Sequence, residues 1–119
     1  MAVTREPYAI TQGELLTAAD ADIGSAVPTG RRFIPRRIRL FNTDTVDRDV
    51  SLWVIPSGQS KGDAYALISA ETVVTKQGLI VSLPEGEIWY PGTVLHGSAT
   101  SASVVNIVVG GILIAGPFS

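Results

Sequence analysis

The sequence predicts an all-β protein: a single compact β-sandwich preceded by an extended N-terminal arm. Three observations carry this. The apolar stretches are rich in valine and isoleucine and alternate with polar residues at a period of two, glycine (12) and proline (7) punctuate them, and helical periodicity is nearly absent. A chain of 119 residues can bury roughly two thirds of its unfolded surface in one core. Jelly-roll connectivity is one way of joining the strands.

Residues 1–14, "MAVTREPYAITQGE", hold too few apolar residues for a core element, so they predict an arm that orders against a neighbouring subunit. The sandwich then spans 15–119. "GELLTAADAD" is open to a helical turn, an extended arm or a short first strand. "RRIRLFN" places Ile38 and Leu40 on one face and Arg37 and Arg39 on the other, and "DVSLWVIP" turns Val50, Leu52 and Val54 inward with Ser51, Trp53 and Ile55 outward. The intervening "NTDTVDRD" reads as the turn of a hairpin between them.

After the loop "PSGQSKGDA", "AYALISAETVVTK" reads as one strand or two. "QGLIVSLP" alternates Leu79, Val81 and Leu83 against Ile80 and Ser82, and is stopped by Pro84 and Gly86. "EIWYPGTVLHGSAT" is a strand broken at Pro91–Gly92. "SASVVNIVVGGILIAG" is a long final strand with a bulge expected at its glycine pair. It is too short for a membrane helix and lacks basic flanks. "MAVTREPYAI" has no apolar run of a secretory signal.

Catalytic motifs are missing. The chain has no cysteine and a single histidine, His96, so thiol chemistry and multi-histidine metal cages are excluded. No nucleophile elbow accompanies His96, and "GQSKGDA" lacks the spacing of a phosphate loop. Asp44, Asp47 and Asp49 could supply calcium oxygens, but their spacing departs from the calcium-hand pattern, and a plain turn is the favoured reading. No catalytic residue, cofactor or metal is assigned, and an enzyme is not expected.

The candidate site residues are therefore those of a docking surface. Arg31, Arg32, Arg36, Arg37 and Arg39 cluster in a chain of formal net charge -2. Nucleic-acid grooves interleave basic residues with stacking aromatics, and here only Phe33 and Phe41 lie within reach. Protein docking is preferred, because a guanidinium fork binds carboxylates while its stem packs on apolar surface. Trp53, Trp89 and Tyr90 join the candidate set as apolar surface needing cover, or as a sugar-stacking platform in an alternative carbohydrate-binding reading.

The run "RRIRLFNTDTVDRDVSLWVIPSGQSKGDAYALISA", followed by "GTVLHGSATSASVVNIVVGGILI", resembles the small all-β structural proteins of tailed bacteriophages. Those proteins carry a similar "NTDT" turn, a strand running into a Pro-Ser-Gly loop, and a late glycine-alanine stretch followed by a "VNI"-type strand. The resemblance spans roughly residues 27–114, departs at "EIWYPGTV", and transfers no site residue. It implies a virion component, made in the host cytoplasm, most simply a head decoration (cement) protein. The partners it implies are the major capsid protein or another virion protein, and further copies of the chain in a homo-oligomer, a trimer at three-fold positions. A tail or fibre component is the alternative. No nucleic-acid or membrane partner is expected.

Overall fold

The computed structural model describes residues 4–115, and its eight strands form two four-stranded antiparallel sheets. The strands are β1 (Thr4–Leu15), β2 (Ala21–Ile23), β3 (Arg31–Asn42), β4 (Arg48–Ile55), β5 (Ala66–Val73), β6 (Gly78–Val81), β7 (Val94–Ala99) and β8 (Val105–Ala115). Sheet I has the order β1-β8-β3-β6 and sheet II the order β2-β7-β4-β5. First therefore pairs with last, second with seventh, third with sixth and fourth with fifth, which is the jelly-roll scheme. Among the described residues no helix is long and apolar enough to cross a membrane.

The core fills the space between the sheets. Sheet I contributes Phe33, Ile38, Leu40, Val105, Ile107, Val109 and Leu113, and sheet II contributes Ile23, Val50, Leu52, Val73 and Leu95. Leu16, Val27 and Trp89 enter from the connections. Phe33 is the hub: its ring lies 6.1 Å from Tyr8, edge-on, and 5.4 Å from Trp89. The Trp89 backbone pairs with Phe33 in an isolated bridge, its N–H donating to the Phe33 carbonyl at 2.8 Å and its carbonyl accepting from the Phe33 N–H at 2.9 Å.

Several expectations are corrected. From Thr4 onward the expected arm is strand β1, in register with β8 from Thr4↔Ala115 to Leu15↔Asn106, with Ile10 buried in the core. Only residues 1–3 of that segment lie outside the described residues. An edge strand needs few inward side chains, and Tyr8 and Ile10 supply them.

The expected β3–β4 hairpin is not formed, since β3 and β4 lie in different sheets. Both flanks of β3 are already taken, by β8 and β6, so the chain crosses the sandwich instead. Buried Asn42 organises that crossing: its Nδ2 donates to the carbonyls of Val46 and Val73, each at 2.9 Å, and its Oδ1 accepts from the Asp44 N–H at 2.8 Å. Ile55, expected outward, is buried, while Val54 is half-buried. Pro35 does not break the arginine run, for Arg31 and Arg32 begin β3 in register with Ala115 and Ile114. Pro35 itself stands where β6 has not yet joined the strand, so its missing N–H leaves the β3–β6 ladder intact. "GELLTAADAD" ends β1, loops, and enters β2 without a helix.

The bulges at the glycine pair lie on the partners of β8. Pro35 and Arg37 oppose Gly111 and Gly110, leaving Arg36 as the extra residue, while Ala9 and Thr11 oppose Gly110 and Val109, leaving Ile10 as the extra residue on β1.

Candidate docking surface

Pairing registers define the outward rows of sheet I. Because Val105, Ile107, Val109 and Leu113 are buried, the alternate residues of β8 face away from the core, and so do the residues directly opposite them. Successive rows read Leu15–Asn106–Phe41–Gly78, Gln12–Val108–Arg39–Ile80, Ala9–Gly110–Arg37, Pro7–Ile112–Ile34 and Arg5–Ile114–Arg32. Leu15, Phe41 and Ile80 are 46%, 43% and 59% exposed, which makes this an apolar sheet face left open to water.

Its charges have one sign. Arg5, Arg32, Arg37 and Arg39 stand in these rows and no acid does. The two acids of β1 register elsewhere: Glu6 opposes the inward Leu113 and Glu14 the inward Ile107, and the Glu14 carboxylate accepts from the Gly24 N–H at 3.2 Å. Arg36, Arg37 and Arg39 are exposed, and none forms a salt bridge among the described residues. Arg31 and Arg32 are half-buried, and the Arg32 guanidinium lies 5.1 Å from the centre of the Tyr90 ring. Such stacking retains the charge while shielding the apolar ring.

The three aromatics do not form one platform. Trp89 is buried in the core, its indole N–H 3.3 Å from a Glu87 carboxylate oxygen. Tyr90, the next residue, points the opposite way and is 54% exposed. Trp53 belongs to the outer side of sheet II, where the His96 ring meets it edge-on at 6.3 Å and the Lys61 ammonium lies 4.6 Å from its centre. A sugar-stacking surface made of all three is thus not assembled.

The outer side of sheet II is polar and internally paired. His96 Nδ1 lies 3.0 Å from Asp22, whereas Asp20 bonds Lys61 and accepts from the Ser98 hydroxyl. Lys61 and then Ser98 hold the Asp20 carboxyl below its usual range. Ser98 and His96 engage different aspartates, so these side chains do not form a serine–histidine–acid relay. The acids of the crossing loop are likewise occupied. Asp44 takes Arg48 Nη2 at 2.6 Å and the Thr45 N–H at 2.7 Å, and the guanidinium first, then the N–H, lowers its pKa. Asp47 accepts from the Thr75 N–H and Asp49 from the Thr72 hydroxyl. Among the described residues no group of three acidic or histidine ligands comes together.

The sequence pattern located the arginines but missed Leu15, Gln12 and Gly110 as parts of the same face. The outward place of Ile80 was legible from its alternation with Leu79 and Val81; which strands lay beside it was not. No protein-family model and no curated protein matches this chain.

Proposed function

We propose that the chain is a non-enzymatic docking module that binds an acidic protein surface with the outer face of sheet I, and that its setting is the virion of a tailed bacteriophage, as a head decoration (cement) protein. The observation that supports this reading is a four-stranded face of exposed apolar residues studded with arginines and free of acids in its rows. Apolar area supplies affinity, and the exposed guanidinium groups of Arg37 and Arg39 select carboxylates and orient the partner. The jelly-roll scheme is shared by many capsid-associated domains, a likeness of fold alone.

A copy docked by the same face across a two-fold axis would set arginine against arginine, so self-association uses other surfaces. On the cement reading those surfaces build a homotrimer at three-fold positions of the shell. Light scattering on the purified protein tests the trimer. Cosedimentation with heads stripped of the protein tests the docking face. The Arg37→Ala/Arg39→Ala variant should lose occupancy at least tenfold, since desolvated interface arginines are worth about 2 kcal/mol or more. Its melting temperature should hold, because both side chains are exposed and form no salt bridge among the described residues. Undiminished head binding by that variant refutes the assignment.

A further inference from the structure

The outer face of sheet I dips beside Gly110. Where β8 carries Gly110, a Cβ built on the glycine would meet no atom within 4 Å, so the outward side is open there. The opening is a shallow depression of about 560 Å³, walled by Pro7, Ala9, Gln12, Arg36 and Arg37 over the glycine backbone. Two consecutive arginines reach it because of the β3 bulge. In a regular strand neighbouring side chains point to opposite faces, whereas here Arg36 is the extra residue of the bulge and lines the same depression as Arg37. On the other side, the β1 bulge turns Ile10 into the core and leaves Ala9 and Gln12 at the rim.

Arg36 and Arg37 bring two positive charges to the rim of one depression, which favours an anion there. We propose that this depression receives the carboxylate of a glutamate or aspartate carried by an acidic segment of a protein partner, with Arg36 and Arg37 binding its oxygens and Gln12 donating from the rim. The proposal rests on the docking role of sheet I and names its anchor. The rows on either side, Val108 with Ile80 and Pro7 with Ile112 and Ile34, suit the side chains of a protein. A phosphate backbone calls for basic residues repeated along a groove and for stacking aromatics, and these five rows hold one aromatic, Phe41. A second copy docked through this same face would bring arginines rather than a carboxylate to the depression.

The test separates the depression from its charge. The probe is a capped peptide of two glutamates flanked by leucines, titrated into ¹⁵N-labelled full-length protein. Saturable amide shifts are expected at Ala9, Gln12, Gly110 and Gly111, and replacing the glutamates by glutamines should abolish them. Gly110→Val fills the open space while keeping every arginine, and Gly110 is not in the left-handed backbone region. This variant should bind the peptide at least tenfold more weakly and keep the wild-type melting temperature; Arg36→Ala should lose a similar factor. Unaltered peptide binding by folded Gly110→Val, or tighter binding of a thymidine oligonucleotide at the same amides, overturns the proposal. Loss of head occupancy by Arg37→Ala/Arg39→Ala with full occupancy by Gly110→Val would overturn the receptor alone and leave the docking face standing.

Discussion

Gly110 and Gly111 are neighbours that should respond oppositely to the same substitution. At Gly111 an added Cβ would lie 2.9 Å from Phe33 Cζ and 3.0 Å from the Ile34 carbonyl carbon, and closer still to the Ile34 oxygen. The Phe33 ring cannot swing aside, being fully buried between Tyr8 and Trp89, and the Ile34 backbone is held in β3 against β8. The two central strands of sheet I must therefore separate. Overpacking of this kind costs about 1–3 kcal/mol, and backbone as the obstacle places Gly111→Ala near about 3 kcal/mol. Unfolding entropy of about 2.1 cal/mol/K per residue gives, for this chain length, about 4 °C per kcal/mol. Gly111→Ala should melt about 12 °C below the wild type. Gly110→Ala meets nothing and relieves the strand of a flexible residue, a gain of about 0.5–1 kcal/mol, so it should melt level with the wild type or a few degrees above. Circular dichroism melts of the three proteins decide the matter. Equal losses in both variants, or a Gly111→Ala melt within 3 °C of the wild type, would refute the opposed facing of the pair.

Asn42→Ala removes three hydrogen bonds and strands the carbonyls of Val46 and Val73, which should cost about 3 kcal/mol in chemical denaturation. Asn42→Asp should be no better, because the lost donors are the NH₂ group. Ile10→Ala should cost about 2–4 kcal/mol, whereas a residue on a detachable arm would cost nothing measurable by the same method. Asp20 and Asp44 have lowered native pKa values, so the unfolded chain binds protons first as the solution is acidified. The stability they supply is complete above about pH 5 and is lost as the pH falls through their native values. Asp44→Asn should accordingly flatten the acid limb of a melting-temperature profile and leave its slope near neutrality unchanged.

Much of the fold was legible because a half-buried strand writes its two faces into the sequence. Arg37, Ile38, Arg39 and Leu40 lie on the sides their alternation assigns. Alternation says which way a side chain points and nothing about which strand lies beside it. For that reason "NTDTVDRD" read as a hairpin turn, although it crosses between sheets on the bonds of Asn42. Phase is equally fragile at the ends of elements: in "EIWYPG" one step separates the core residue Trp89 from the exposed Tyr90. The docking face was legible only through its arginines. Its other members come from β1, β6 and β8, and only the long-range register brings Leu15, Ile80 and Val108 beside Arg39 and Phe41.

The strand order also sets a timetable. Strand β8 lies between β1 and β3, and β7 lies between β2 and β4. While residues 105–115 are still inside the ribosome, β1 has no neighbour to pair with, and β3 has only the four residues of β6. The nascent chain must therefore carry β1 unpaired while β2 to β7 are made, and sheet I closes after β8 emerges, in a step dominated by distant contacts. Folding of this kind is slow and exposes strand edges to other chains while it waits. Pro7, which lacks an N–H donor, and the charges of Arg5, Glu6 and Glu14 make that waiting strand a poor template for aggregation.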